Sequence, residues 1–371
     1  MWDATIEFGD RGGALHARGP DGAIQEDVSV RNRAAAVERM LDTLWSGKSK
    51  TVQSAADIDV VGHRVVHGGH KLQSATIVTP EVMSVIASLE AFAPLHNRAE
   101  LEGIEIIEHL VGKVTQVAVF DTGFHHDLPL AAAVYPGPYS WLQQGLRKYG
   151  FHGINHEYCA HRLAQLMSRD ISSLRLVSCH LGNGCSLTAI QGGKSVDTTM
   201  GFTPLDGLMM GSRSGSVDPS ILTFLMRQGS LSPQGLDDAL NKQSGLLGIS
   251  GVSSDMRAVL AAIQAGNQRA KLALDIYVHR LQAGIAAMAA AMGGVDALIF
   301  TAGVGEHASE VRAAACEKLG FLGVKLDAAQ NAHSPADTEI SAKDSAVQVW
   351  IIHAQEDWAI AKACWGLAQK K

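Results

Sequence analysis

The chain has 371 residues, of which 46% are hydrophobic and 18% charged, a composition that excludes an intrinsically disordered protein. Its length favours two domains over a single core. The formal net charge of −6 provides no basic field that would steer the chain to nucleic acid or to an acidic membrane, so we expect neither as a partner.

The first half of the chain predicts alternating strands and helices. We expect a strand over residues 4–8, a glycine-rich turn region, and an amphipathic helix over 32–45. A β-branched apolar run over 60–66 predicts a buried strand that ends in a tight turn. Further helices are predicted over 80–91 and 97–109, and a second buried strand over 114–120.

The second half continues this alternation. We predict a strand over 175–178, a hairpin strand over 186–190 and an apolar strand over 295–300. Helices are predicted to begin at Pro219 and Pro233, and a long one covers 268–292. This order indicates an α/β architecture whose sheets are covered on both faces.

The cysteines and the hydropathy pattern bear on the compartment. The five cysteines have no metal-type spacing, and their odd number argues against a disulfide framework and for a reducing environment. The N-terminus has no apolar signal region, and no apolar run is long enough to span a bilayer. We therefore predict a cytoplasmic protein.

Two glycine-rich turns each follow a buried strand directly. Their sequences are Leu181-Gly182-Asn183-Gly184 and Gly303-Val304-Gly305. Glycines at such a place let backbone N–H groups converge on phosphate oxygens. Neither turn has the spacing of a dinucleotide fingerprint or of a lysine-containing phosphate loop, so an ordinary glycine turn remains the alternative for each.

Two arginines have the pattern of anion ligands. Arg64 lies inside an apolar run, where a buried guanidinium requires an anionic partner, and Arg213 lies in the small-residue loop G-S-R-S-G. Arginine suits bidentate capture of carboxylate and phosphate. The alternative for each is an internal salt bridge, for instance with Asp121 or Asp218.

Asp121 and His152 are the candidate reactive side chains. Asp121 follows a buried strand, where α/β folds place ligand contacts. His152 could donate a hydrogen bond to charge that develops on a transferred phosphoryl group, although a lone histidine is more often structural. A zinc site built from His152, His156, Cys159 and His161, or from His63 and His67, is the disfavoured alternative. His63 and His67 lie on a predicted strand flanked by valines and glycines and not on an H-E-x-x-H helix. We expect Asn155 to cap a helix that places His156 and Cys159 on a surface already rich in polar residues.

Seven segments carry a resemblance to a known family. They read V-G-H-R-V-V-H-G-G, F-D-T-G-F-H, Y-G-F-H-G-I-N-H, C-H-L-G-N-G, G-F-T-P-L-D-G-L-M-M-G-S-R-S-G, S-G-V-S-S-D-M-R and T-A-G-V-G-E. In this order they resemble the acetate kinase family, from residue 60 to the C-terminus. The resemblance implies two ribonuclease-H-like domains of the actin-like ATPase type around a central cleft. It places them at 1–125, completed by a helix over 358–371, and at 126–357.

The resemblance also implies roles for individual residues. Asp121, His152 and Arg213 would be catalytic, with Arg64 and Arg213 holding the acetate carboxylate and the moving phosphoryl group. The pocket for the acetate methyl group would be lined by Val66, Leu95, Phe151 and Pro204. The contacts to ATP would come from His180, Leu181, Gly182, Asn183, Gly184, Asp255, Met256, Arg257, Gly303, Val304, Gly305, Glu306 and His307.

The implied reaction is the reversible transfer of the γ-phosphoryl group of ATP to acetate, which gives acetyl phosphate and ADP. Glu356 would bind Mg²⁺ directly or through water, and the protein would be a homodimer. Because a carboxylate substrate is already ionised near neutral pH, no strong general base is required. We therefore expect Asp121 to orient an arginine or a magnesium-bound water.

Two departures from the family pattern qualify these expectations. The family opens with a strand and an N-A-G-S-S-S-x-K segment, and neither is found before Met1-Trp2-Asp3. We therefore expect the fold to lack its N-terminal strand and the chain as given to have weak or no kinase activity. His307 stands where the family commonly has Asn. The alternatives are a propionate or butyrate kinase and a catalytically impaired nucleotide-binding relative.

Overall fold

A computed structural model describes residues 2–9, 12–29, 32–90, 97–333 and 335–369. The chain divides into two compact units. The first comprises Met1–His67, Ala75–Val119 and Ile360–Lys371, and the second comprises Gly68–Ser74 and Phe120–Ala359. In the described part of the chain, no helix has the length and apolar character needed to cross a membrane.

The first unit contains two three-stranded sheets. One is an antiparallel meander, and the other has the strand order β4-β6-β5. The strands are β1 Asp3–Gly9, β2 Gly12–Gly19, β3 Gly22–Val28, β4 Val60–Val65, β5 Thr76–Ile77 and β6 Thr115–Phe120. The helices are α1 Arg33–Trp45, α2 Pro80–Ser88, α3 Asn97–Val111 and the C-terminal helix Glu356–Ala368, most of which belongs to this unit.

Local sequence explains where these helices begin. The side chain of Asn32 accepts a hydrogen bond from the Ala35 amide and caps α1. Thr79 caps α2 in the same way, and Pro80 occupies its first position. A side-chain carbon on Gly62 of β4 would lie 2.4 Å from a methyl carbon of Ile360, so only glycine lets the C-terminal helix pack this closely.

The sequence did not predict β2 and β3. We expected a glycine-rich turn region there, and the structure instead places two paired strands between Gly12 and Val28. In β3, only Val28 is fully buried, while the other positions alternate between half-buried and exposed. A strand with so few buried apolar residues gives a weak hydrophobic pattern.

The second unit is built on one six-stranded sheet. Its order is β11-β12-β10-β7-β8-β9, in which β7, β8 and β9 form an antiparallel meander and β10 runs parallel to β7 and to β12. Three antiparallel strands followed by parallel ones agree with the ribonuclease-H-like topology that the resemblance implied. The bounds are β7 Arg175–Leu181, β8 Cys185–Gln191, β9 Lys194–Thr198, β10 Ala297–Thr301, β11 Thr338–Glu339 and β12 Gln348–Ile351.

Further helices belong to this unit. They are α4 Leu130–Ala133, α5 Tyr139–Gln143, α6 Gly153–Leu166, α7 Pro219–Arg227, α8 Pro233–Lys242, α9 Gly245–Ser250, α10 Met256–Gln264, α11 Gln268–Ala291, α12 Ala302–His307, α13 Ser309–Glu317 and α14 Ala328–His333. Leu163 of α6 packs in a fully buried cluster with Ile190 of β8 and Ile299 of β10. Gly284 of α11 approaches Leu187 of β8, whose side chain points to the opposite face from Ile190. Both faces are therefore covered, as the alternation predicted.

Candidate active site

The start of α6 gives His152 an unusual backbone conformation. His152 is the N-cap of α6 and has a φ of 57°, in the left-handed region. The next residue, Gly153, donates its amide to the carbonyl oxygen of Asp121 at 2.8 Å. A side-chain carbon on Gly153 would lie 2.3 Å from that oxygen, so this contact requires glycine. The two predicted residues Asp121 and His152 are thereby linked through the backbone.

The imidazole of His152 is held on two sides. Its Nδ1 lies 2.9 Å from the hydroxyl oxygen of Ser186, and its ring stacks on that of His180 at a centroid distance of 3.9 Å. The ring of His180 is anchored in turn by Asn155, whose amide nitrogen lies 2.8 Å from its Nδ1. Asn155 therefore lies inside the first turn of α6 as a buried hydrogen-bond partner of His180. Our expectation that Asn155 caps the helix is wrong, because the N-cap is His152.

Gly184 brings the predicted arginine to the predicted histidine. A side-chain carbon at Gly184 would lie 2.6 Å from Nη2 of Arg213 and 3.4 Å from Nε2 of His152. Any larger residue would therefore fill the space that these two groups border. The first glycine-rich turn thus adjoins Arg213 and His152.

Arg213 is a half-buried cation. Its guanidinium donates to the carbonyl oxygen of Pro204 at 2.6 Å, and it forms no ion pair with any residue that the structure describes. Burial lowers its pKa from the ordinary value. Asp218 accepts a hydrogen bond from the Ser220 amide and caps α7, so the alternative of an Arg213–Asp218 salt bridge is wrong. A cation in these surroundings is suited to an anionic ligand.

Asp121 lies directly after β6 and is almost completely buried, with 1% of its surface exposed. This agrees with the expectation that a carboxylate follows the strand. Its backbone carbonyl orients the start of α6 through Gly153, as described above. Asp121 therefore influences the backbone at His152 and the start of α6.

The second glycine-rich segment differs from the expected turn. Gly303, Val304 and Gly305 lie in the short helix α12, which begins at Ala302 with a φ of 64°. The buried carboxylate of Glu306 accepts from the amides of Ala302 and Ala354 at 3.0 and 2.9 Å and pairs with Nδ1 of His353 at 2.6 Å. The side chain of Glu306 therefore holds this segment in shape, and Gly303 and His307 are exposed on it.

Arg312 fixes the other end of α12. This fully buried guanidinium donates to the carbonyl oxygens of Gly305 and Glu306 at 2.8 Å, and to the side chain and carbonyl oxygen of Asn331 at 2.8 Å. The last carbonyls of a helix have no partner within it. Sequence reasoning missed Arg312, because an arginine in an alanine-rich helix gives no sign of which carbonyls it will reach.

The third predicted nucleotide segment begins α10. Asp255 caps this helix by accepting from the Arg257 amide at 2.8 Å, and it also forms an ion pair with the Arg257 side chain at 2.6 Å. Met256 is buried, whereas the side chain of Arg257 is exposed. Only Asp255 and Arg257 therefore present polar side-chain groups to a ligand here.

The remaining predicted residues are divided between the two units. Arg64 is exposed on β4, so the expectation of a buried guanidinium is wrong, because alternate β4 positions face outward. The buried Val66 donates its amide to the carboxylate of Glu100 at 3.1 Å. Leu95 lies outside the described residues. In the second unit, Phe151 is buried and Pro204 is half-buried.

The resemblance implied Glu356 as a magnesium ligand. Glu356 is half-buried at the start of the C-terminal helix. Burial is the main cause that raises the pKa of the nearby Cys159 thiol, and the charges of Glu306 and Glu356 raise it further. In the described part of the chain, no three His, Cys, Asp or Glu side chains form a group that could hold a metal. A lone carboxylate is compatible with Mg²⁺ that arrives with nucleotide phosphates, because Mg²⁺ in such sites keeps water and uses one or two carboxylates.

His125 and His156, two buried histidines near His152, form hydrogen bonds with serine hydroxyl groups through their ring nitrogens. His156 contacts the hydroxyl oxygens of Ser178 and Ser186 through its two ring nitrogens, at 2.8 and 2.7 Å. His125 contacts the Ser195 hydroxyl at 2.8 Å and the Phe151 carbonyl at 3.1 Å. Sequence reasoning missed these serines. Their signal is the alternation Ser178-x-His180 and Ser186-x-Thr188, which places all four side chains on one face of the β7–β8 pair.

Comparison with known proteins identifies relatives over almost the whole chain. The Acetokinase family profile matches residues 15–362. An acetate kinase of Gloeobacter violaceus is 58% identical over 368 residues, which are 98% of this chain and 91% of that protein.

Solved structures give the same result. The crystal structure of Porphyromonas gingivalis acetate kinase superposes with a TM-score of 0.91 at 39% identity and covers 99% of this chain and 93% of its own. A propionate kinase from Francisella tularensis gives a TM-score of 0.91 at 35% identity, with 98% and 92% covered. These matches confirm the resemblance and the α/β fold class that the sequence predicted.

Proposed function

The chain belongs to the acetokinase family, and from that premise we propose that it is an acetate kinase, which transfers the γ-phosphoryl group of ATP to acetate. A carboxylate oxygen of acetate forms a bond to the γ-phosphorus while the bond to the bridging oxygen of ADP breaks. The products are acetyl phosphate and ADP, and the same steps run in reverse.

The observation that carries this proposal is the placement of Arg213 and His152 beside Gly184. Phosphoryl transfer needs positioning and charge neutralisation more than covalent chemistry. Arg213 offers a guanidinium that no carboxylate of the described residues neutralises, and its fork can hold two oxygens of a phosphoryl group. His152 offers a ring nitrogen on the same side of the turn. Arg64, Val66, Phe151 and Pro204 would complete the acetate site.

The remaining groups have supporting roles. The backbone of residues 180–184, α12 and the start of α10 would contact ATP, with Glu306 and Arg312 keeping α12 in shape. Mg²⁺ bound with the phosphates would be held through Glu356 and would neutralise phosphate charge. Asp121 would orient an arginine or a magnesium-bound water, because the ionised acetate needs no base. A homodimeric, cytoplasmic protein is part of the same proposal.

The test is an acyl phosphate assay in which the product is trapped with hydroxylamine. Acetate with ATP and Mg²⁺ should give product, and kcat/KM should fall from acetate to propionate to butyrate. One of the similar structures is a propionate kinase. A higher kcat/KM for propionate than for acetate would therefore identify propionate as the preferred substrate. ATP binding in calorimetry without any product would contradict kinase activity in this chain.

Asp121→Asn tests whether the negative charge of this buried carboxylate is essential for turnover. If the charge orients a cationic group, kcat should fall about 10²-fold while the fold is retained. The matched control is Asp127→Asn, an exposed residue in the same loop, which should keep the original kcat. Near-normal turnover of Asp121→Asn would rule out an essential charge at this position.

A further inference from the structure

Three hydrogen bonds connect the buried Ser178 to His152 through His156 and Ser186. The hydroxyl oxygen of Ser178 lies 2.8 Å from Nδ1 of His156. Nε2 of His156 lies 2.7 Å from the hydroxyl oxygen of Ser186, which lies 2.9 Å from Nδ1 of His152. Ser178, His156 and Ser186 are all fully buried, so no solvent interrupts the chain.

When both imidazoles are neutral, each serine and each ring has one proton, so the hydroxyls can all donate towards His152 or all donate away from it. A third arrangement, in which both rings donate to the Ser186 oxygen, is costly because it leaves the buried Ser186 proton without an acceptor. Burial is the main cause that lowers the pKa of His156 well below its ordinary value, and the charges of His125 and His180 act in the same direction. His156 is therefore neutral at physiological pH.

The end of the chain at Ser178 decides between the two directions. His156 is the side-chain hydrogen-bond partner of Ser178 among the described residues. If Ser178 accepted a proton from His156, its own hydroxyl proton would be buried with no acceptor, which is costly. Ser178 therefore donates to Nδ1 of His156, His156 donates from Nε2 to Ser186, and Ser186 donates to Nδ1 of His152.

We propose that Ser178, His156 and Ser186 are positioning residues that fix His152 as the tautomer with its proton on Nε2. This inference rests on the proposed function for its catalytic meaning, because Nε2 is the nitrogen that lies beside Gly184 near Arg213. An Nε2–H group donates to a negatively charged phosphoryl oxygen. The opposite tautomer would present a lone pair at this place and would repel the same oxygen.

The direct test uses the native enzyme without substitutions. Protein labelled with ¹⁵N-histidine is studied by long-range ¹H–¹⁵N correlation, which distinguishes protonated from unprotonated ring nitrogens, and His152→Gln assigns the signals. We expect His152 and His156 both to carry the proton on Nε2. Finding the proton of either neutral ring on Nδ1 would overturn the proposal, whether or not the enzyme phosphorylates acetate.

A remote substitution tests the catalytic consequence. Ser178→Ala removes the hydroxyl that selects the direction, so His152 should become a mixture of tautomers and kcat should fall about fivefold at unchanged KM. The matched control is Thr188→Val, which removes another fully buried hydroxyl on the same face, one that donates to Thr198 and not to a histidine. Unchanged tautomer and kcat in Ser178→Ala would refute the proposal, and failure of Ser178→Ala to fold leaves the native tautomers to decide it.

Discussion

The imidazole rings of His152 and His180 are stacked face to face, at a centroid distance of 3.9 Å and an interplanar angle of 12°. Two charged rings at this separation would repel each other strongly, so the stack disfavours double protonation. The amide nitrogen of Asn155 can only donate, so Nδ1 of His180 accepts its hydrogen bond and a neutral His180 carries its proton on Nε2.

Asn155→Ala should therefore disturb the ring on which His152 stacks. We expect the free energy of unfolding to fall by about 1–3 kcal/mol, because Nδ1 of His180 loses its donor, and kcat to fall severalfold. Urea unfolding and steady-state kinetics measure the two effects. Asn241→Ala is the control, since that amide donates only to Asp237 within α8. Wild-type stability and kcat in Asn155→Ala would show that the anchor has no importance.

Arg213→Lys tests whether the guanidinium fork is needed. Lysine keeps the charge but cannot bind two oxygens in a plane, so we expect kcat/KM for acetate to fall about 10²-fold or more with an unchanged melting temperature. Arg162→Lys is the control, because the Arg162 guanidinium is already paired with Asp337 at 2.7 Å. If Arg213→Lys kept full kcat/KM, charge alone would be sufficient.

Arg312→Met tests the support of α12. The substitution leaves the carbonyl oxygens of Gly305 and Glu306 buried without their donor, so we expect a loss of about 3 kcal/mol in stability and a raised KM for ATP. The KM for acetate should change little. Arg169→Met, whose guanidinium makes one long contact of 3.5 Å with Ser173, should behave like wild type. An unchanged KM for ATP would show that Arg312 does not contribute to nucleotide binding.

We predict that the free energy of unfolding decreases on acidification because His125 is buried. Burial is the main cause that lowers its pKa to about 4, below the ordinary 6.5. The unfolded chain therefore binds a proton that the folded chain does not, and stability present above pH 6.5 is lost between pH 6.5 and about 4. At full loss, this amounts to about 3 kcal/mol.

The measurement is the urea midpoint between pH 7 and pH 5. In His125→Asn, the midpoint should fall less steeply with decreasing pH than in wild type, because one buried histidine no longer titrates. His126→Asn, at the exposed neighbouring position, should keep the wild-type slope. Identical slopes for all three proteins would mean that His125 does not contribute.

Chelation and Glu356→Gln test the metal. EDTA should abolish turnover, and Glu356→Gln should raise the Mg²⁺ concentration for half-maximal activity roughly tenfold, because a neutral amide is a weaker magnesium ligand. Asp357→Asn is the matched control at the adjacent exposed position. The same Mg²⁺ dependence in wild type and both variants would show that Glu356 is not a magnesium ligand.

The sequence by itself determined the family, the strands that end in glycines and the helices with Asn, Thr or Asp caps. These are local signals, because a cap or an alternating apolar run depends on residues a few positions apart. The predicted helix over 32–45 and the observed α1 differ by one residue, since Asn32 is its cap. β2 and β3 were missed because their hydrophobic pattern is weak.

Only the tertiary structure decided which polar groups meet. Arg213 and Gly184 are 29 positions apart by their numbering, and nothing local indicates that the guanidinium lies beside that glycine and not beside Asp218. The exposure of Arg64 and the commitment of Glu306 to backbone amides follow from strand pairing and helix packing. Hydrogen-bond direction through Ser178, His156 and Ser186 depends on burial, because only the exclusion of water makes an unmatched hydroxyl proton costly.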